Sequence, residues 1–280
     1  MKILITGKNS YIGTSFEKWV EQYGDTYIVD TIDVRDDSWK QQSFSGYNAI
    51  LHVAGIAHIK ETPENSQLYY KVNRDLAVDL AVKAKKDGVK QFVFLSSMSV
   101  YGVEQGVITK DTSCNPKSSY GKAKLEAEKI IKQLEGNGFN VTIIRPPMVY
   151  GKGCRGNYPR LAKLALKSPL FPNIKNERSM IHMDNLSEFI KVLIDDCARG
   201  VFCPQNEEYV CTTEMVKGIA DSHGRKIRLT KIFNPLLKLL KLNIITKVFG
   251  SLVYDKKLSD YQKKYCVYDV KKSISMTERR

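Results

Sequence analysis

Apolar positions along the chain fall into short continuous runs separated by longer amphipathic stretches. KILITG (2–7), YIVDTIDV (27–34), AILHVAG (49–55), QFVFLSS (91–97) and VTIIRP (141–146) read as strands. Their nearly unbroken apolar character, in place of alternation, predicts strands covered on both faces. Between them, 65–87 and 119–135 carry apolar residues at three- and four-residue spacing, as in Leu68, Val72, Leu76 and Leu80, and then Leu125, Ile130 and Leu134. That period predicts crossover helices. Strand–helix–strand units in one sheet require parallel pairing with right-handed crossovers, so the pattern predicts a doubly wound α/β sheet.

After residue 150 the rhythm changes. Gly151, Gly153, Gly156, Pro159, Pro169 and Pro172 interrupt the chain, and strand and helix cease to alternate regularly. A first domain over 1–150 and a smaller lobe over 151–280 follow. Asp184 to Ile194 reads as a helix able to return to the sheet, so the first domain is predicted to be rejoined by about 182–205. The stretch 231–253 sets Leu236, Leu237, Leu239, Leu240, Leu242, Ile244 and Ile245 among lysines. It reads as an amphipathic surface helix for a membrane or partner, or as a face packed on its own protein. Pro235 and Gly250 break the stretch and favour the second reading.

With 280 residues, 42% hydrophobic and 26% charged, the chain belongs to the ordinary globular class and not to disordered or low-complexity classes. Ile3, Leu4 and Ile5 lead straight into glycine-punctuated sequence, no apolar run reaches signal-peptide or membrane-spanning length, and a cytoplasmic protein is expected. Six cysteines without a C-x-x-C pair predict reduced core thiols and no metal. The formal charge of +14 is spread along the chain with no basic block or nucleic-acid-binding motif. A phosphate-bearing substrate or plain solubility accounts for it more simply than nucleic acid does.

Candidate chemistry begins where the first strand ends. Gly7 is followed by Ser10, Tyr11, Ile12 and Gly13 just as helical periodicity starts. Such a turn lets backbone N–H groups and a helix N-terminus meet a pyrophosphate, although a tight strand-to-helix turn alone would read the same. Further on, Tyr120 and Lys124 stand four residues apart, which stacks a phenol and an ammonium on one helix face. A cation beside a tyrosine lowers its pKa, and the phenol can then take or give a proton at a carbonyl oxygen. Ser97, at the end of QFVFLSS, can hydrogen-bond the same oxygen.

TGKNSYIG, HVAGIAH, LSSMSVYG, YGKAK, IRPPMVYG and RSMIHMDNL stand in the order found in extended short-chain dehydrogenases/reductases that act on nucleotide sugars. The resemblance covers nearly the whole chain. It implies a Rossmann-type doubly wound parallel sheet with a smaller C-terminal substrate-binding lobe, a UDP-sugar substrate and NAD or NADP as cofactor. By resemblance Tyr120 is the acid/base, Lys124 binds the nicotinamide ribose and assists Tyr120, and Ser97 orients the substrate oxygen. Ala54 and Gly55 match the strand end beneath the cofactor, and Asn73 matches an asparagine that braces the adjoining helix. The family's glycine between Gly7 and Gly13 is here Ser10, whose side chain must be accommodated or must itself bond a phosphate. Asp33, Val34 and Arg35 match the segment at the adenine end, with Arg35 able to face a 2′-phosphate, so NAD and NADP both stay open. Arg178 matches an arginine that reaches the nucleotide diphosphate, a task suited to a bidentate guanidinium. A salt bridge between lobes is its alternative. Ser99 and Asn157 complete the candidate substrate contacts.

Family dehydratases carry an acidic pair where Met98 and Ser99 stand, and neither residue can supply acid and base for eliminating water. The resemblance therefore implies hydride transfer at C4 without elimination. IRPPMVYG followed by GNYPR (156–160) resembles reductases that make 6-deoxy-N-acetylhexosamine nucleotides for surface polysaccharides. A 4-keto reductase is expected, with 4-epimerisation of UDP-glucose or UDP-N-acetylglucosamine as the alternative. A catalytically silent cofactor-binding regulator is disfavoured because Tyr120 and Lys124 are both kept. A homodimer stays open.

Overall fold

The computed structural model describes residues 1–57, 59, 61–232, 234 and 243–279. The leucine-rich part of the 231–253 stretch lies outside them. Two compact units emerge: Met1–Gly102 with Ser113–Pro146 and Ser187–Pro204, and Val103–Thr112 with Pro147–Leu186 and Gln205–Arg280.

The first unit is built on a parallel sheet of six strands. β1 (Lys2–Thr6), β2 (Ile28–Ile32), β3 (Ala49–His52) and β4 (Gln91–Leu95) correspond to four of the apolar runs. The second unit's β5 (Gly106–Ile108) precedes β6 (Asn140–Ile144), which corresponds to the fifth. The sheet order is β10-β6-β4-β3-β1-β2, where β10 is Gly200–Phe202. Register runs Ile3↔Ala49, Ile50↔Phe92 and Phe92↔Val141, so apolar residues stand side by side across the sheet. β4 is buried along its whole length, as a strand covered on both faces must be. β2, at an edge, is not.

Helix Tyr11–Val20 follows β1, and helix Ser119–Lys132 precedes β6. The segment expected as one helix over 65–87 is helical in three pieces, Ser66–Tyr70, a π-helical turn Lys71–Asp75, and Leu76–Lys86. Its buried face beyond that turn is Ala77, Leu80, Ala81 and Ala84, while Leu68 is exposed. Small side chains let the helix approach the sheet closely, which a count of large apolar residues misses. Helix Ser119–Lys132 likewise buries Gly121, Ala123, Lys124, Ala127, Glu128 and Ile131 and leaves Ile130 outside. Helix Met183–Asp195 then leads into β10, whose pairing with β6 completes the sheet.

In the second unit strand pairing is short and parallel. β7 (Met148–Tyr150) pairs with β9 (Met180–His182), β8 (Leu170–Pro172) with β11 (Arg228–Thr230), and β12 (Leu252–Tyr254) with β5. Among the described residues no helix is long and apolar enough to cross a membrane.

Candidate active site

The turn after β1 is shaped by close approach to β3. Gly7 has φ +121°, and a Cβ there would stand 2.9 Å from the Ala54 nitrogen. Only glycine fits on both counts. Its N–H and that of Lys8 both reach the Ile32 carbonyl, at 3.1 and 3.2 Å. Asn9 takes the left-handed conformation with φ 63°, so Ser10 does not need it; Ser10 is extended at φ −71° and caps helix Tyr11–Val20. The Ser10 hydroxyl accepts the Gly13 N–H at 3.2 Å, and a Cβ on Gly13 would stand 2.6 Å from that oxygen. The Ser10 side chain is thus accommodated against its own helix with its hydroxyl proton still to give. Tyr11, Ile12 and Gly13 form the first turn of that helix.

Beyond β3 the chain runs close to two polar side chains. A Cβ on Gly55 would meet the Asn73 Oδ1 at 2.7 Å and the Lys124 Nζ at 3.5 Å. Asn73 sits buried in the π-helical turn; it accepts the Ile56 N–H and donates to the Ile56 carbonyl, both at 3.1 Å. It therefore braces the strand end, where the resemblance implied a helix. A π-turn commonly marks a place where one side chain is re-aimed.

At the next strand, β4, Ser97 caps the turn Met98–Tyr101; its hydroxyl accepts the Ser99 N–H at 3.1 Å and stands 2.9 Å from the Ser99 hydroxyl. Met98 and Ser99 sit in that turn. Helix Ser119–Lys132, capped by Ser118 through the Gly121 N–H, brings Tyr120 and Lys124 to the same region. Burial raises the Tyr120 phenol above its ordinary value, while the neighbouring Ser97 hydroxyl works against that rise. The lowering expected from Lys124 does not arise in this geometry, because the ammonium is spent elsewhere. Lys124 is only 4% exposed, donates to the Leu95 carbonyl at 2.8 Å and lies over the Phe94 ring. Burial brings its pKa down to about 7, with the Glu128 carboxylate pulling the other way.

The adenine-end candidates follow β2. Val34 is buried, and Asp33 is bound by Arg35, whose Nε donates to both carboxylate oxygens at 3.0 and 2.9 Å. That partner holds the Asp33 carboxyl down to about 2. Asp30 is occupied by the Tyr47 hydroxyl at 2.7 Å.

Arg178 and Asn157 belong to the second unit. Asn157 is exposed in the first turn of helix Asn157–Lys167, after Gly156. Arg178 exchanges backbone hydrogen bonds with Val210 and donates through Nη1 to the Gly250 carbonyl at 2.9 Å. Burial lowers its pKa, and among the described residues it makes no ion pair, so the alternative of a salt bridge finds no carboxylate.

Several polar residues at the site carried no signal in the sequence reading. His52, wholly buried, shares a hydrogen with Thr6 across 2.6 Å. Glu128 lies one helical turn beyond Lys124 and binds Arg145, from the end of β6, through Nε at 3.0 Å. The 120, 124, 128 spacing was the available clue, since it puts all three on one face.

A glycine turn pressed against the neighbouring strand, a helix N-terminus aimed from it, a Ser after the end of β4 and a Tyr and Lys on the helix packed beside it suit a nicotinamide dinucleotide and proton transfer beside it. Fold and site thus define a dinucleotide-dependent α/β oxidoreductase. The chain belongs to the NAD dependent epimerase/dehydratase family, whose model matches residues 3–211. It is 28% identical to a UDP-glucose 4-epimerase from Vibrio cholerae over 90% of this chain and 87% of that protein. It is 26% identical to an N-acetyl-alpha-D-glucosaminyl-diphospho-ditrans,octacis-undecaprenol 4-epimerase from Escherichia coli O157:H7, over 89% of this chain and 81% of that one. In fold it is similar to a dTDP-4-dehydrorhamnose reductase from Clostridium acetobutylicum, with TM-score 0.77, 21% identity and coverage of 99% and 98%. A UDP-glucuronic acid 4-epimerase from Bacillus cereus in complex with NAD gives TM-score 0.76 at 17% identity, covering 99% of this chain and 97% of that one. The protein is an enzyme, and its cofactor is NAD or NADP.

Proposed function

We propose that the enzyme acts at C4 of a UDP-sugar and that its net reaction is reduction of a 4-keto-6-deoxy-N-acetylhexosamine nucleotide. One observation supports this most directly: the helix bearing Tyr120 and Lys124 packs on the turn bearing Ser97, with Gly121 against the Ser99 carbonyl and Lys124 donating to the Leu95 carbonyl at 2.8 Å, in one unit. In this reading Tyr120 gives its proton to the oxygen on C4, Ser97 donates a hydrogen bond to the same oxygen, and Lys124 holds the nicotinamide ribose. Bound NAD(P)H supplies the hydride. Gly7, Ser10, Tyr11, Ile12 and Gly13 would hold the pyrophosphate, Asp33, Val34 and Arg35 the adenine end, and Ala54 and Gly55 the strand-end face. Arg178 would pair with the sugar nucleotide's diphosphate, and Ser99 and Asn157 with sugar hydroxyls. Burial raises the phenol, so Tyr120 is protonated at neutral pH and ready to act as the acid that reduction needs.

The names of the two sequence relatives favour a second reading, 4-epimerisation, which uses the same groups but returns the hydride to the other face of C4. An assay separates the two. Given UDP-4-keto-6-deoxy-N-acetylhexosamine and NAD(P)H, a reductase consumes one reduced cofactor per sugar. Interconversion of UDP-N-acetylglucosamine or UDP-glucose with its C4 epimer, without cofactor loss and without reduction of the keto sugar, would replace the first reading with the second.

A further inference from the structure

Glu128 and Arg145 form a buried ion pair that does more than join two side chains. Arg145 donates to Glu128 through Nε at 3.0 and 3.2 Å and through Nη2 at 2.5 Å. Glu128 also accepts from the Ser96 hydroxyl, on the residue just before Ser97. The remaining arm of Arg145, Nη1, donates at 2.9 Å to the hydroxyl of Tyr101, the last residue of the turn that starts at Ser97. Glu128 itself belongs to the helix that carries Tyr120 and Lys124. The backbone adds two further ties to β6 and the residues that follow it: Ser96 N–H to the Ile144 carbonyl at 2.7 Å, and Met98 N–H to the Pro146 carbonyl at 3.0 Å.

We propose that Glu128, Arg145 and Tyr101 act as positioning residues, a clamp that fixes the turn bearing Ser97 against the helix bearing Tyr120 and Lys124. The proposal rests on the reading of those three as the proton-transfer group. Ser97 is held from both sides: Ser96 is bonded to the helix through Glu128, and Tyr101 to the strand end through Arg145. A buried ion pair is a poor device for stability, since desolvating two charges offsets most of their attraction and an apolar replacement often does as well. Its bidentate geometry, by contrast, fixes distance and orientation together. The helix and the turn meet at Gly121, where a Cβ would stand 2.8 Å from the Ser99 carbonyl oxygen, so a small shift of either mount misaligns Ser97 against Tyr120 at the oxygen that both must reach.

The test compares Tyr101→Phe, Glu128→Gln, Ser97→Ala and the Ser97→Ala/Tyr101→Phe double variant on the nucleotide sugar that the wild-type enzyme converts. Circular dichroism and thermal melts establish that each is folded. Tyr101→Phe keeps the ring, removes one hydroxyl, and decides the matter if Glu128→Gln does not fold. It should lower kcat about tenfold, and Glu128→Gln about 100-fold, with the KM of the sugar in Tyr101→Phe changed less than about twofold. In the Ser97→Ala background Tyr101→Phe should cost nothing more, because the group it positions is gone. Wild-type kcat in folded Tyr101→Phe overturns the clamp, as does an equal loss in the Ser97→Ala background. Full turnover in Ser97→Ala overturns the underlying catalytic reading, and the clamp with it; a loss there with no loss in Tyr101→Phe overturns the clamp alone.

Discussion

At Lys124, burial and a neighbouring carboxylate act in opposite directions on one ammonium, and the result near pH 7 is a group poised between two charge states. A cation held so close to neutrality is most useful where a ligand's hydroxyls finish its solvation, and in the proposed reading the nicotinamide ribose does so. Lys124→Met should therefore weaken NAD(P)H binding and slow turnover together; retention of both in calorimetry and kinetics would refute the assignment. Arg178 is a second candidate cation. Because its described contact is a carbonyl and not a carboxylate, Arg178→Ala should weaken UDP binding by roughly 2 to 5 kcal/mol, the cost typical of a buried charged pair, and leave NAD(P)H affinity unchanged. Equal UDP affinity in the variant would make Arg178 structural. The spacing of Tyr120 and Lys124 and the strand-end place of Ser97 were legible in the sequence. Glu128 and Arg145 were not, because a charge in a lysine- and glutamate-rich helix, or at the end of a strand, looks like a solvated one until the fold buries it.

At the scale of elements, helix Ser119–Lys132 and the turn after β4 approach each other closely. A Cβ on Gly121 would stand 2.8 Å from the Ser99 carbonyl oxygen and 2.9 Å from the Pro116 Cβ. Gly121→Ala gains about 1 kcal/mol in helix propensity, but overpacking against backbone costs about 1 to 3 kcal/mol. The variant should be less stable than wild type in denaturant melts and should lose turnover, since the turn that gives way carries Ser97. Wild-type stability with wild-type kcat would show that the helix can move away freely. Five strands of the sheet were legible because long apolar runs admit few other readings. The sixth, β10, is three residues with only intermediate or exposed positions, too short for its apolar pair Val201 and Phe202 to stand out as a run, and its pairing with β6 makes it a strand. The π-turn at Lys71–Asp75 was hidden for a related reason: its effect is a register shift within an otherwise helical pattern.

For the whole molecule, the charge of +14 is spread over a chain whose buried histidines stay neutral. Burial holds His182 down to about 4, and its Nδ1 accepts the Asp184 N–H at 3.3 Å, so that nitrogen carries no proton despite the nearby carboxylate. His52 is likewise pushed well below its ordinary 6.5, first by burial and then by Lys124. Where the unfolded chain takes up these protons and the folded one does not, stability falls. For His182 the contribution is full above about pH 6.5 and is lost as pH drops toward 4, by about 1.4 kcal/mol per pH unit, and His52 acts in the same direction. Denaturant melts at about pH 7.5 and about pH 5.5 should show this loss, and His182→Gln should flatten it; equal stability at the two pH values would contradict it. The proposed chemistry turns on one proton, that of Tyr120. The most direct measurement is therefore turnover and cofactor affinity of Tyr120→Phe, a variant that removes only the phenolic hydroxyl. Turnover should fall by ~100-fold to 10,000-fold while calorimetry finds NAD(P)H binding unchanged, and near-wild-type turnover in the folded variant would contradict the account.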